Sequence, residues 1–318
     1  MRRRLAIAAL VSVLVLAAFA LAFVRPDLDP DVLRAKWGGP PSRFVEVAGL
    51  RVHVRDTGQG PAVVLIHGLF DSLHTWNAVA DALDDHDRVV RFDLPGHGLT
   101  GPDPTGDYSL ARQLEVVDAL ANALGLDRFS LVGNSLGGEI AWNYAGTRPE
   151  RIDRLVLVDA AGQPRKQLPA IVAFARRPVL GKLLEWCSPR FMVARIAGGA
   201  WAPGAEVPDS VVERFADLQR HPGNRPAIRR RLEQRSDGPD LSPLARITAP
   251  TIVVWGVLDA WIPVENAAAF GRAIRSSTVV KLAGVGHVPQ DESPKALLAV
   301  ITPFLAAPVD RPVGDATP

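Results

Sequence analysis

The sequence predicts an α/β protein: a mostly parallel, doubly wound sheet of eight strands, interrupted by an inserted helical cap and preceded by one apolar N-terminal helix. Three observations predict it. Short apolar runs alternate with helix-compatible stretches over residues 61–158, the rhythm of β-α-β units in a sheet covered on both faces. His67, Asp93, Ser135 and Asp159 each stand just past the carboxyl end of such a run, where open parallel sheets place their sites. The rhythm then stops near residue 162 and resumes at 250, so an insertion of different character divides the sheet.

Composition narrows the class. The 318 residues are 47% apolar and 22% charged, as in ordinary globular proteins, and can bury a large core. A net charge of +2 gives no global case for nucleic-acid binding. The single cysteine, Cys187, excludes an internal disulfide and a cysteine-based metal cluster; in Leu184-Glu185-Trp186-Cys187 it reads as a small packed hydrophobe.

In chain order, Arg2, Arg3 and Arg4 precede an apolar run over residues 5–24, broken only by Ser12. About 20 helical residues cross the roughly 30 Å hydrocarbon layer, so residues 1–25 are expected to form a transmembrane anchor. The arginines would stay cytoplasmic, placing the rest on the extracytoplasmic side, periplasmic or extracellular. Ala18-Phe19-Ala20 and Ala20-Leu21-Ala22 also fit a signal-peptide cleavage pattern, making a secreted form the alternative. Residues 26–42, rich in proline, aspartate and glycine, read as a linker.

The core is expected over residues 43–162 and 244–307. Residues 43–47 and 51–55 alternate about Ala48-Gly49 as a β-hairpin. Residues 61–66 form a continuous apolar run, as in a strand buried on both faces, and end at His67-Gly68-Leu69-Phe70-Asp71-Ser72. A helical stretch at 76–83 and a strand at 88–92 lead to Asp93-Leu94-Pro95-Gly96-His97-Gly98. Ser109 opens a helix with Leu110, Leu114, Val117, Ala121 and Leu124 on one face and Gly125 as its stop. Strands follow at 129–132, 154–158, 250–255 and 278–282, with helices at 138–147, 264–274 and 293–305. The insertion, residues 163–243, is helix-like and proline-broken, with an excess of basic residues and an apolar set that includes Phe174, Trp186, Met192 and Phe215. It reads as a cap over the strand ends. The tail, 308–318, is expected to be disordered.

The chemistry centres on Gly133-Asn134-Ser135-Leu136-Gly137-Gly138, a G-x-S-x-G pattern between a strand and a helix. A serine hydroxyl is a poor nucleophile at neutral pH. An imidazole must take its proton, and a carboxylate must hold that imidazole in one tautomer. Asp259 and His287 each follow a predicted strand, in the order Ser, Asp, His. Backbone N–H groups of Leu136, just after the serine, and of Leu69, in the loop after His67, are candidates for holding an oxyanion. Base, orienting acid and oxyanion donors are then all supplied by the chain, and no metal or organic cofactor is implied.

His67-Gly68, Asp93 to Gly98, the Ser135 motif, Gly256-Val257-Leu258-Asp259 and Gly284-Val285-Gly286-His287 together resemble the α/β-hydrolase superfamily, over residues 43–307. The resemblance implies Ser135 as nucleophile, His287 as base and Asp259 as acid, with Leu69 and Leu136 as oxyanion donors. Asp159 also ends a strand, and some relatives take their acid from that position. A serine nucleophile points away from the dehalogenase and epoxide hydrolase branches, which use aspartate there. The elbow is similar to that of enzymes cleaving carbon–carbon bonds in vinylogous diketones, but their glycine-proline loop after His-Gly is replaced by Leu69-Phe70-Asp71-Ser72. The expected function is hydrolysis of small or lipid-like carboxylic esters through an acyl-serine. The alternatives are a carbon–carbon bond hydrolase with the same triad and a non-catalytic binding protein on the same fold.

Overall fold

The computed structural model describes residues 2–164, 170–177, 179–186, 188–235 and 238–308. Cys187 and the tail from 309 onward lie outside the described residues. The chain runs α1 (Arg2–Phe23), α2 (Pro30–Trp37), β1 (Ser42–Val47), β2 (Leu50–Thr57), β3 (Ala62–Ile66), α3 (Asn77–Leu83), β4 (Arg88–Phe92), α4 (Leu110–Ala123), β5 (Phe129–Asn134), α5 (Leu136–Thr147) and β6 (Ile152–Val158). The cap helices follow: α6 (Ala170–Ala175), α7 (Arg190–Ala200), α8 (Asp209–Leu218) and α9 (Asn224–Gln234). The core then resumes with β7 (Thr251–Gly256), α10 (Glu265–Ala273), β8 (Ser277–Leu282), α11 (Pro289–Glu292) and α12 (Pro294–Ala306).

The eight strands form one sheet in the order β1-β2-β4-β3-β5-β6-β7-β8. The β1–β2 and β2–β4 pairs are antiparallel and all the others parallel. Ala48 and Gly49 both take positive φ, 52° and 74°, the backbone of a tight hairpin turn between β1 and β2. Consecutive residues of the central strands feed opposite cores, because strand side chains alternate. Val64, Ile66, Leu131, Leu155, Leu157 and Val253 pack beneath α4, α5 and α10. Val63, Leu65, Val132, Val156, Val158 and Val254 pack against α3 and α12 on the other face. Each such side chain, fully buried, contributes about 1.5–3 kcal/mol of transfer free energy. Two packed faces make the central sheet rigid, and every candidate site residue hangs from the ends of its strands.

The N-terminus differs from expectation. The apolar run does form a helix, α1, and its Leu5, Ile7, Leu10, Val11, Val13, Leu14 and Val15 side chains are exposed. Among the described residues, however, no helix is long and apolar enough to cross a membrane, so the transmembrane span expected at residues 5–24 is not supported. Residues 26–42 are tied down along their length. The Arg225 guanidinium donates to Arg25 O at 2.8 Å and to Asp27 Oδ1 at 2.6 Å, and Lys36 Nζ donates to Glu213 and Asp217 of α8. Leu33 is buried with Leu99 and Leu218, so α2 is wedged between core and cap.

Candidate active site

Ser135 forms the turn between β5 and α5, at φ 53° and ψ −113°, a conformation that L residues avoid. Neighbouring backbone holds it there. Ser135 N–H donates to Val158 O at 3.0 Å, and its carbonyl accepts from Glu139 N–H at 3.0 Å and Ala161 N–H at 2.9 Å. A Cβ on Gly137 would overlap the Ile66 carbonyl, and one on Gly133 the Gly137 carbonyl. The glycines of the motif are therefore a packing requirement of the elbow.

His287 lies on the loop between β8 and α11. Its Nδ1–H donates to Asp259 Oδ2 at 2.6 Å, with the two side chains 3% and 0% exposed. Asp259 Oδ1 accepts from the N–H groups of Trp261 and Ile262 at 2.7 and 2.9 Å, which fixes the plane of the carboxylate. The Trp261 ring stacks on the imidazole at a centroid distance of 5.5 Å. Asn134 Nδ2 donates to His287 O at 3.0 Å, and Gln290 Nε2 to Asn134 Oδ1 at 3.1 Å, so the histidine loop is pinned to the residue preceding Ser135. His287 Nε2 is buried and has no hydrogen-bond partner among the described residues.

The loop after β3 passes the serine from the other side. A Cβ on Gly68 would stand 3.3 Å from Ser135 Cβ, which places Leu69 at the edge of the elbow. His67 braces this loop: its Nδ1–H donates to Gly68 O at 2.8 Å and its Nε2 accepts from Leu94 N–H at 3.0 Å. Burial depresses the proton affinity of His67, so it stays neutral. Leu136 is the first residue of α5, and an amide in that position has no acceptor within its own helix. Asp93 is a structural hub, accepting from His53 Nδ1–H at 2.6 Å, Leu73 N–H at 2.7 Å and Leu99 N–H at 2.8 Å.

The structure thus joins His287 to Asp259, ties the His287 loop to Asn134 beside Ser135, brings Gly68 against Ser135, and places Asp159 with the Asp259–His287 pair. An oxygen of Asp159, an oxygen of Asp259 and a nitrogen of His287 all lie within 4.8 Å of one another. Burial, reinforced by the charge of Asp259, pushes the Asp159 carboxyl well above the usual carboxylate range. Trp261, Gln290 and the anchoring role of Asn134 are not identifiable from the sequence pattern. Asn134 does stand inside the motif, and Gln290 follows His287 by three residues, which is the available signal.

Under the cap, Phe70, Ala175, Met192, Val193, Ile196, Ile228 and Leu232 line an apolar cavity with Arg225 and Arg229 at its polar side. Phe70 connects the cavity to the site, meeting Trp261 edge to face at 6.5 Å. Both arginines are already ion-paired, Arg225 with Asp27 at 2.6 Å and Arg229 with Glu185 and Glu233.

The chain is similar to known proteins over most of its length. It is 31% identical to an uncharacterized protein of Mycobacterium tuberculosis, across 84% of this chain and 81% of that one. It is 27% identical to 2-hydroxy-6-oxo-2,4-heptadienoate hydrolase of Pseudomonas putida, across 83% and 96%. Among solved structures, a membrane phospholipase A described as a novel bacterial virulence factor superposes with a TM-score of 0.74 at 27% identity. That match covers 96% of this chain and 98% of the other. The family model for the alpha/beta hydrolase fold matches residues 61–294, which include both the elbow and the Asp259–His287 pair, and the chain belongs to that family.

Proposed function

We propose that this protein is a serine hydrolase of carboxylic esters with apolar, lipid-like acyl groups. The observation that carries the reading is the Asp259–His287 pair, 2.6 Å apart, on a loop pinned beside the strained Ser135 elbow. In the reaction, His287 Nε2 takes the Ser135 hydroxyl proton as Oγ bonds to the ester carbonyl carbon. The carbonyl oxygen gains the negative charge and is met by the N–H groups of Leu69 and Leu136. Collapse breaks the bond to the alkoxy oxygen, which leaves as the alcohol with the proton from the imidazolium. Water then attacks the acyl-serine, gives its proton to His287, and the acid departs as Ser135 regains its hydrogen.

The apolar cavity supports an acyl chain over a charged group. A dienoate of the carbon–carbon hydrolase type brings a carboxylate, and the cavity's two arginines are already ion-paired by carboxylates of this chain. Localisation belongs to the same proposal. Arg2, Arg3 and Arg4 ahead of an apolar helix fit a segment that lies against a lipid surface. The described Leu and Val side chains of α1 are exposed, as are Val179, Leu183, Trp186 and Phe191 of the cap, and an apolar surface of this kind favours contact with lipid.

The test is hydrolysis of aryl esters of graded acyl length by wild type and Ser135→Ala, with a vinylogous diketone dienoate in parallel. Ser135-dependent turnover that rises with chain length is the expected result. Equal rates for wild type and variant on every ester would sink the reading, and faster cleavage of the diketone would replace it with carbon–carbon bond hydrolysis.

A further inference from the structure

The end of β6 carries a second buried carboxyl group that the proposed reaction does not use. Asp159 follows the strand directly, is 0% exposed and takes a φ of 45°. Its N–H donates to Val254 O at 3.0 Å, and its Oδ1 accepts from Gly256 N–H at 2.9 Å, so both backbone and side chain are fixed by β7. Its Oδ2 is buried, and among the described residues no group donates to it. Facing it is the carboxyl of Asp259, in the cluster whose atoms all lie within 4.8 Å.

Two carboxyl groups so close and so buried do not both ionise, and one keeps its proton. The surroundings decide which. The oxygens of Asp259 accept from three protein N–H donors: Trp261, Ile262 and His287. Asp159 has the one Gly256 amide, and the remaining charge near it is Glu292, whose oxygens accept from Ala202 N–H at 3.0 Å and Gly286 N–H at 2.7 Å. Donors stabilise a carboxylate, so the negative charge settles on Asp259 and the proton on Asp159.

We propose that Asp159 is a positioning residue whose carboxyl O–H donates a hydrogen bond to the Asp259 carboxylate and so orients the acid that holds His287. The inference rests on the triad assigned above. Asp159 supplies a donor without a second charge, and the pair presents one negative charge to the imidazole. When rising pH strips the Asp159 proton, the bond becomes a repulsion between two carboxylates beside His287, and the orientation is lost. Asparagine is the informative replacement. Its Oδ1 still accepts from Gly256 N–H, its Nδ2 still donates toward Asp259, and it has no proton to lose in this range.

The experiment is kcat/KM against pH for wild type, Asp159→Asn, Asp159→Ala and Asp259→Asn on one short aryl ester, with thermal melts of each. Asp159→Asn is expected to stay within about threefold of wild type at neutral pH, because the hydrogen bond survives, while Asp159→Ala falls about tenfold or more. The alkaline fall of the wild-type profile is expected to move up by at least about one pH unit in Asp159→Asn, since its titrating group is gone. Infrared difference spectra at neutral pH should show the C=O stretch of a protonated carboxylic acid in wild type that is missing in Asp159→Asn. If Asp159→Asn loses as much activity as Asp259→Asn, or keeps the wild-type alkaline limb, the proposal is overturned, and these readings stand even if Asp159→Ala fails to fold. Turnover without the infrared band defeats this proposal alone. The band without any ester turnover defeats the hydrolase reading and the positioning role with it, while leaving the proton on Asp159.

Discussion

The backbone N–H of His287 donates to the carbonyl of Ala200 at 2.7 Å, so the loop that carries the histidine hangs directly from the last residue of α7. Cap and candidate site are therefore one mechanical unit at this point. Glu292 reinforces it by accepting from Ala202 N–H on the cap side and Gly286 N–H on the loop side. A Cβ on Gly286 would stand 2.6 Å from Ala202 N and from Trp201 C, and the rigid backbone there has no flexible end to give way. Gly286→Ala is expected to shift His287 by a few tenths of an ångström or more and to lower kcat about 10²-fold. Steady-state kinetics check this, and activity within twofold of wild type, on the scale of about 0.4 kcal/mol, would show that the loop and α7 move independently.

Strain at Ser135 gives a prediction on stability. A non-glycine residue at φ 53° and ψ −113° costs of order 1–3 kcal/mol, whereas glycine in its place costs about 0.5–1 kcal/mol in unfolded-chain entropy. Ser135→Gly is therefore expected to be catalytically dead and more stable than wild type by about 1 kcal/mol. Ser135→Ala keeps the Cβ, hence the strain, and should melt within a degree or two of wild type. Thermal denaturation of the three proteins decides, and a less stable Ser135→Gly would mean that the turn is not strained.

Much of this site follows from local pattern. Apolar runs of four to six residues place the central strands, because a strand buried on both faces has no polar alternation to blur it. The candidates Ser135 and Asp259 follow such strands, and the candidate His287 follows the edge strand β8. What escapes is whatever depends on residues meeting from afar. Arg214 of α8 joins Asp71 and Asp291, and no spacing in the chain links these positions. Residues 26–42 look like a linker by composition, yet Leu33 and Trp37 give α2 an apolar side that docks. The apolar run at residues 5–24 marks a helix correctly, but a helix-length hydrophobic pattern does not by itself establish a membrane span.

The Arg214 cluster predicts a pH-dependent stability. Burial, with the neighbouring Asp291 adding to it and Arg214 pulling against it, pushes the Asp71 carboxyl up to about 7. In the unfolded chain an aspartate titrates near its ordinary value of about 3.9. Between about pH 4 and about 7 the folded protein therefore holds a proton that the unfolded chain has lost, so this group makes stability fall as pH rises through that window. Above about 7 the penalty is complete. Asp71→Asn keeps an acceptor for the Ser72 N–H, bonded at 2.8 Å, and leaves Arg214 paired with Asp291 at 2.5 Å. The variant should melt with wild type near pH 4 and increasingly above it toward pH 8, as read by melting temperature across that range. A difference that does not change with pH would show that Asp71 is ionised throughout.

Asp259→Asn tests the orientation of the histidine. Asp259 Oδ1 accepts from two backbone amides, Trp261 and Ile262, and neither can accept in return. An asparagine must therefore keep its carbonyl oxygen toward those amides, which turns its Nδ2–H₂ toward His287 Nδ1. That nitrogen then has to accept, the ring proton moves to Nε2, and Nε2, the proposed base for Ser135, loses the lone pair it needs. Activity is expected to fall by about 10⁴-fold, as when the same exchange traps a triad histidine in the wrong tautomer. Because the replacement is isosteric and keeps the Trp261 and Ile262 bonds, melting temperature should change little. A loss of less than tenfold would hand the role of orienting acid to Asp159, whose carboxyl stands in the same 4.8 Å cluster.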